Sequence, residues 1–115
     1  MTRTTIDYGI DLGTTNSAAA LLDGTQTRII KNNDGHDFTP SAVWLGFNMG
    51  ITVGNRAKER KGRDAQNVFT SFKRAMGTAE EFRFARDGRV MRAEDLSAEV
   101  LKVLKNDIVH ATGDT

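Results

Sequence analysis

Tyr8-Gly9-Ile10-Asp11-Leu12-Gly13-Thr14-Thr15-Asn16-Ser17 changes character halfway along. Up to Leu12 it continues an alternation begun at Ile6: Ile6, Tyr8, Ile10 and Leu12 are apolar and share one side, the period-two mark of a half-buried strand. Gly13-Thr14-Thr15-Asn16 breaks that pattern with small and polar residues. Residues 17–22 resume as a second strand, closed by the turn dipeptide Asp23-Gly24. Residues 26–31 read as a third, ended by Asn32-Asn33-Asp34-Gly35. Three successive strands joined by tight turns predict an antiparallel meander.

Beyond the meander the elements shorten. After the single proline, Pro40, residues 42–45 form an apolar run containing Trp44, residues 46–50 a turn, and residues 51–53 a further short strand. Thr39 and Ser41 flank Pro40 and are expected to shape a turn. Residues 56–63 are polar and read as helical. Val68, Phe69, Phe72, Ala75 and Met76 recur at helix-like spacing, which predicts a helix over 67–76 stopped by Gly77. Residues 82–85 and 89–92 flank Asp87-Gly88, a hairpin signal. The clearest helix is the last, over 94–111: Leu96, Val100, Leu104 and Ile108 stand four apart, with Leu101 and Val103 widening the stripe. Glu94 and Asp95 suit the positive N-terminal end of that helix, and His110 its C-terminal end. Trp44, Phe69 and Phe72 are expected in the core, and His36 in solvent.

Composition removes several kinds of function. The chain has 115 residues, of which 38% are apolar and 11 are glycine. That length suits one domain at most, and the core it can build is small, so a piece of something larger is expected. The absence of cysteine excludes disulfide frameworks, thiolate metal sites and cysteine nucleophiles. Only His36 and His110 offer imidazoles, and they lie too far apart for a closely spaced pair of metal ligands. Sixteen basic and fifteen acidic residues leave a net charge of +1, which argues against a nucleic-acid partner. Arg56, Lys58, Arg60, Lys61 and Arg63 are interrupted by Glu59 and followed by Asp64, the pattern of a solvated helix face. No apolar run approaches the roughly 20 residues a bilayer requires, and residues 1–5 lack the apolar core of a secretory signal. A cytoplasmic chain with no membrane contact is expected.

The chemistry resides in residues 11–16. A carboxylate, Asp11, ends a strand, and a turn of small residues follows. Such a turn gathers backbone N–H groups into a concavity suited to phosphate oxygens. Gly13 lets the backbone approach a ligand closely, and Thr14 and Thr15 add hydroxyl donors. Asp11 beside phosphates is tolerable when Mg²⁺ intervenes, directly or through its waters. No Gly-Lys-Ser/Thr follows, so this is not the Walker pattern. Asp and Gly-Thr-Thr are also ordinary turn residues, and on their own they leave both readings open.

Residues 8–17 resemble the first phosphate motif of the DnaK-type chaperones, the seventy-kilodalton heat-shock proteins, within the actin-like, ribonuclease-H-like ATPase superfamily. Sugar kinases of that superfamily share a similar Asp-x-Gly-Thr-Thr. Further segments point to the chaperones: Phe38-Thr39-Pro40-Ser41, Val53-Gly54 with Ala57-Lys58, Phe72-Lys73-Arg74 with Met76-Gly77, and Leu96-Ser97-Ala98-Glu99-Val100-Leu101. The resemblance runs from about Tyr8 to Asp107; the stretch between Gly77 and Leu96 is shorter than in the general housekeeping members, and Phe72-Lys73-Arg74-Ala75-Met76-Gly77-Thr78 resembles the HscC-like branch.

The resemblance implies an α/β fold: the first part of lobe I, a mixed sheet opening with an antiparallel meander, plus a small peripheral α/β subdomain. Residues 1–115 would then be an incomplete ATPase domain, with the meander and phosphate hairpin in 1–38 and the peripheral subdomain and long helix in 39–111. It implies ATP or ADP with Mg²⁺ as cofactors. Gly13, Thr14, Thr15 and Asn16 would cradle the β- and γ-phosphates, Asp11 would stand near the Mg²⁺, and Lys73 would reach the γ-phosphate as the catalytic residue. Arg74 would be a weaker contributor, at a lobe-to-lobe contact. Implied partners are a J-domain co-chaperone, a nucleotide-exchange factor and, through a domain absent from this chain, unfolded peptides. The chain alone is expected to be inactive and to self-associate through an unfinished sheet. A non-catalytic regulatory or scaffolding relative is the alternative reading, and a sugar kinase the third.

Overall fold

The computed structural model describes residues 6–113. β1 (Ile6–Leu12), β2 (Asn16–Asp23) and β3 (Gln26–Ile30) form the expected antiparallel meander. Its register places Tyr8 opposite Leu21, Ile10 opposite Ala19, and Ala19 opposite Ile30, so these side chains share one face. Ala19, Leu21 and Ile30 are buried there. β3 covers β2 only from Ala19 onward, which leaves the start of β2 open on that side. β4 (Thr39–Pro40) fills the vacancy, pairing Thr39 with Ser17 and Pro40 with Asn16. The segment expected to be a turn is thus a short edge strand, a position that tolerates a residue without an N–H.

A second sheet has β5 (Ala42–Leu45) at its centre, between β6 (Ile51–Val53) and β7 (Val68–Thr70). α1 (Asn55–Glu59) follows β6 and tightens into a 3₁₀ turn at Arg60–Gly62. β8 (Glu81–Arg83) and β9 (Val90–Arg92) make the hairpin read from Asp87-Gly88. Every strand pairing among the described residues is antiparallel, so these residues alone do not form the mixed sheet.

The helix expected over 67–76 is absent. Val68–Thr70 is a strand paired with β5, and Phe72–Ala75 is a 3₁₀ turn, separated from it by Ser71 in the left-handed region at φ 56°. Val68, Phe69, Phe72 and Ala75 do face inward, but from two elements, and Met76 is exposed. Val68-Phe69-Thr70, β-branched and aromatic, gains a partner strand by extending along β5. Phe69 packs edge-on against Phe82 and Phe84, and Phe72 is buried.

α2 (Ala93–Thr112) is the expected long helix. The Arg92 N–H donates to the Asp95 carboxylate at its start, and Gly113, at φ 74°, donates its N–H to the Val109 carbonyl at its end. Its stripe of Ala93, Leu96, Val100, Leu104 and Ile108 lies in one cluster with Ala19, Leu21 and Ile30 of the first sheet. Val43 and Leu45 of the second sheet, Phe72, Ala75 and Phe84 complete that cluster. One helix is therefore the floor of both sheets. Trp44 lies outside this core: it is half-buried and its indole N–H donates to Asp64 at 2.9 Å. Among the described residues no helix is long and apolar enough to cross a membrane.

Asp107 stands on the buried stripe at 3% exposure, with neither carboxylate oxygen hydrogen-bonded. Burial pushes its pKa up, Asp34 adds in the same direction, and His110 opposes. A raised folded-state pKa means that the native state holds the proton more tightly than the unfolded chain. The protonated form supports folding fully below the unfolded value, and that support is lost as pH rises through the folded one. Asp107→Asn is accordingly expected to raise the thermal midpoint at pH 7 by about 4–8 °C, the shift that roughly 1 kcal/mol gives in a small domain. The gain should shrink toward pH 4. Circular-dichroism melts at the two pH values check this, and a gain independent of pH would refute it.

Candidate functional site

The turn between β1 and β2 has a shape that only glycine permits. A Cβ on Gly13 would lie far inside van der Waals contact of the Asn16 carbonyl oxygen. Glycine here therefore serves a close backbone approach. Two carbonyls of this turn are tied back by Ser41, which lies between β4 and β5. Ser41 donates its N–H to the Thr15 carbonyl at 2.9 Å and its hydroxyl to the Gly13 carbonyl at 2.8 Å. The Ser41 oxygen also lies 2.8 Å from the Ser17 hydroxyl. A hydroxyl has one proton, and that of Ser41 goes to Gly13, so Ser17 is the donor to Ser41. Both serines are buried. The Gly13 and Thr15 carbonyls are thus both occupied by Ser41.

Around this staple, Thr14 is half-buried and Thr15 and Asn16 are exposed. Asp11 pairs with Ala18 across the ladder, on the sheet face opposite to Tyr8 and Leu12, and is exposed. The structure therefore brings Asp11, Gly13, Thr14, Thr15 and Asn16 together at one hairpin. A cleft of about 180 Å³ opens beside them, lined by Thr15, Pro40, Ser41, Ala42, Lys58, Lys61, Thr70 and Ser71. Lys61 donates to the Thr70 hydroxyl at 3.0 Å. Lys73 lies two residues beyond Ser71, exposed on the Phe72–Ala75 turn, whose Phe72 and Ala75 are anchored in the core. It makes no hydrogen bond or ion pair with the hairpin among the described residues. Arg74 is likewise exposed.

Ser17, Ser41, Lys58 and Lys61 were not singled out as site residues from the sequence. Lys58 and Lys61 stand three apart on one helical segment, a spacing that puts them on the same side and could have drawn attention to that wall. Ser41 offered no such signal, since its role depends on a partner 28 residues away.

Among the described residues no group of three or more His, Cys, Asp or Glu side chains could hold a metal ion. Asp11 contributes a single carboxylate. That donor set fits a hydrated Mg²⁺ shared with phosphate oxygens, the usual way this ion binds, and does not fit an all-protein cage. With the hairpin, its staple and the lysine-lined cleft in view, comparison with known families gives a match: the family model described as Hsp70 protein covers residues 7–115.

Proposed function

The chain belongs to the Hsp70 protein family, and from that membership we propose how its residues serve the ATPase cycle of a DnaK-type chaperone. The family gives the coarse frame: a stretch of a chaperone nucleotide-binding domain, actin-like in fold, with Mg²⁺-nucleotide binding and with J-domain and nucleotide-exchange partners in general. The finer reading is ours. Residues 1–38 with their hairpin and residues 39–111 form the opening part of lobe I, in a cytoplasmic member of the HscC-like branch.

The observation that carries the proposal is the stapled hairpin, in which a glycine without room for a Cβ is held by Ser41 through its own carbonyl. Gly13, Thr14, Thr15 and Asn16 bind the terminal phosphates of ATP through backbone N–H and hydroxyl groups. Asp11 accepts the water shell of the Mg²⁺ ion. Lys73 places a compact positive charge where negative charge develops, the main requirement of phosphoryl transfer. Bound Mg·ATP supplies the electrophilic phosphorus and a divalent charge that screens the phosphate oxygens.

Phosphate release from Mg·ATP by the intact gene product tests this. Steady release of free phosphate supports the chaperone motor. Transfer of the phosphoryl group to a hexose in place of water would establish a sugar kinase, and binding without turnover would establish a scaffold.

The same proposal holds that the 115-residue chain alone neither turns over ATP usefully nor binds unfolded peptides, and that it self-associates. Among the described residues β1 pairs only with β2, and Ile10, Leu22 and Ile29 are exposed on the strands of that sheet. An open edge beside apolar side chains is a template for pairing with a second copy. Sedimentation at tens of micromolar is expected to show a mass above that of the monomer. A sharp monomer boundary would refute self-association.

A further inference from the structure

The tip of the β5–β6 hairpin carries two large apolar side chains that folding leaves in solvent. Phe47 is 66% exposed and Met49 is 46% exposed. Lone exposed apolar residues are common, but these two sit on one rigid loop. The Met49 N–H donates to the Gly46 carbonyl, the Gly46 N–H to the Gly50 carbonyl, and the Gly50 N–H to the Asn48 side chain, each at 2.9 Å.

Phe47 is also held from below. Its ring meets Trp44 edge-on at 5.7 Å, and the guanidinium of Arg86 lies over it at 4.4 Å. The Arg60 guanidinium lies 4.7 Å from the Trp44 ring centre and 5.7 Å from that of Phe47. Arg86 is fixed in turn by Asp64 and by the Leu45 carbonyl. Asp64 also accepts from Trp44 and Asn67, and these bonds hold its carboxyl below the usual range. The aromatic anchor is therefore preorganised, at no further ordering cost on binding.

The surround is cationic. Arg60 and Arg63 line an adjoining cleft of about 340 Å³ with Glu59, and Arg89 reaches the Met49 carbonyl. Asp64 is committed to Arg86 and Asp87 pairs with Arg89, and among the described residues Arg60 and Arg63 make no ion pair. Aromatic, methionine and arginine side chains grouped in this way have the composition of an interface centre.

We propose that the Phe47–Met49 tip and its arginine rim dock an acidic protein segment, whose apolar side chains pack on Phe47 and Met49 while its carboxylates pair with Arg60 and Arg63. A polypeptide fits better than a nucleic acid. The net charge of the chain is only +1, without the basic excess of a nucleic-acid-binding surface. The contact is small, which makes it a transient one.

A labelled peptide of about fifteen residues, glutamate interleaved with leucine and phenylalanine, serves as the probe in fluorescence-anisotropy titrations against the intact gene product, with a saturating unlabelled apolar peptide that carries no acidic residue present throughout to fill the family's own unfolded-peptide site. Expected is a saturable, salt-sensitive complex that Phe47→Ser and Arg60→Glu each weaken at least about ten-fold, roughly 1.4 kcal/mol. Both positions lie outside the core cluster, and a circular-dichroism melt confirms that each variant is folded. Phosphate release from Mg·ATP, measured on the same samples, should be unchanged, which keeps this test separate from that of the nucleotide site. Absence of binding, binding that survives both substitutions, or tighter binding of an oligouridylate than of the peptide would overturn the proposal.

Discussion

Lys73→Ala is expected to slow ATP hydrolysis by about 10²–10³-fold, the usual loss when one preorganised charge-stabilising donor is removed. Affinity for Mg·ATP should change little, because the hairpin that grips the phosphates is built from other residues. The separation is testable because Lys73 is exposed, while Phe72 and Ala75 anchor its turn in the core. Truncating the side chain therefore removes a charge without opening a cavity. Single-turnover phosphate release and equilibrium nucleotide binding, both on the intact gene product, report the two quantities independently. Lys73→Arg should not restore the rate, since a planar fork does not replace a compact ammonium. An unchanged rate in Lys73→Ala would leave the lysine as a solvated surface residue, whereas no hydrolysis by either protein would move the reading toward the scaffold.

Gly13→Ala is expected to weaken Mg·ATP binding by about a hundred-fold, as displacement of a positioning group by roughly 1 Å can. The new methyl group cannot coexist with the Asn16 carbonyl, so the turn must open. Opening it moves the Gly13 carbonyl away from Ser41 and carries Thr14 and Thr15 along. Gly9→Ala is the matched control on the same strand: a Cβ there meets nothing within 4 Å. Ser41→Ala should fall between the two, near ten-fold, because it removes the hydroxyl donor and keeps the N–H bond to Thr15. Isothermal titration of Mg·ATP into the series measures all three. Equal affinity in Gly13→Ala and Gly9→Ala would show that the turn does not hold the phosphates.

Much of the fold could be read from local periodicity. Alternation over residues 6–12 gave the first strand, Asp23-Gly24 and Asp87-Gly88 gave hairpin turns, and the four-residue spacing from Leu96 to Ile108 gave α2. The helix expected over 67–76 failed because inward-facing residues from a strand and a 3₁₀ turn happened to fall at helical spacing. What separated the two elements was the left-handed Ser71, a residue type that announces no such conformation. The site divides along the same line. The residues of the hairpin stood out by composition, and family resemblance drew attention to Lys73. The Ser17–Ser41–Gly13 relay depends on β4 pairing with β2, a long-range event without a local signature. Lys58 and Lys61 were hidden among other cations of one polar segment.

The position of α2 has a consequence for the order in which this polypeptide is made. It leaves the ribosome after all the strands described above, yet its apolar stripe packs against both sheets. Until residues 93–108 emerge, the strands of the meander and of the second sheet have no floor, and Ala19, Leu21, Val43 and Leu45 remain open to water. The nascent chain thus passes through an interval of exposed β-structure, the state most prone to pairing with neighbours. A chain assigned to a chaperone family is itself, during its own synthesis, a candidate client.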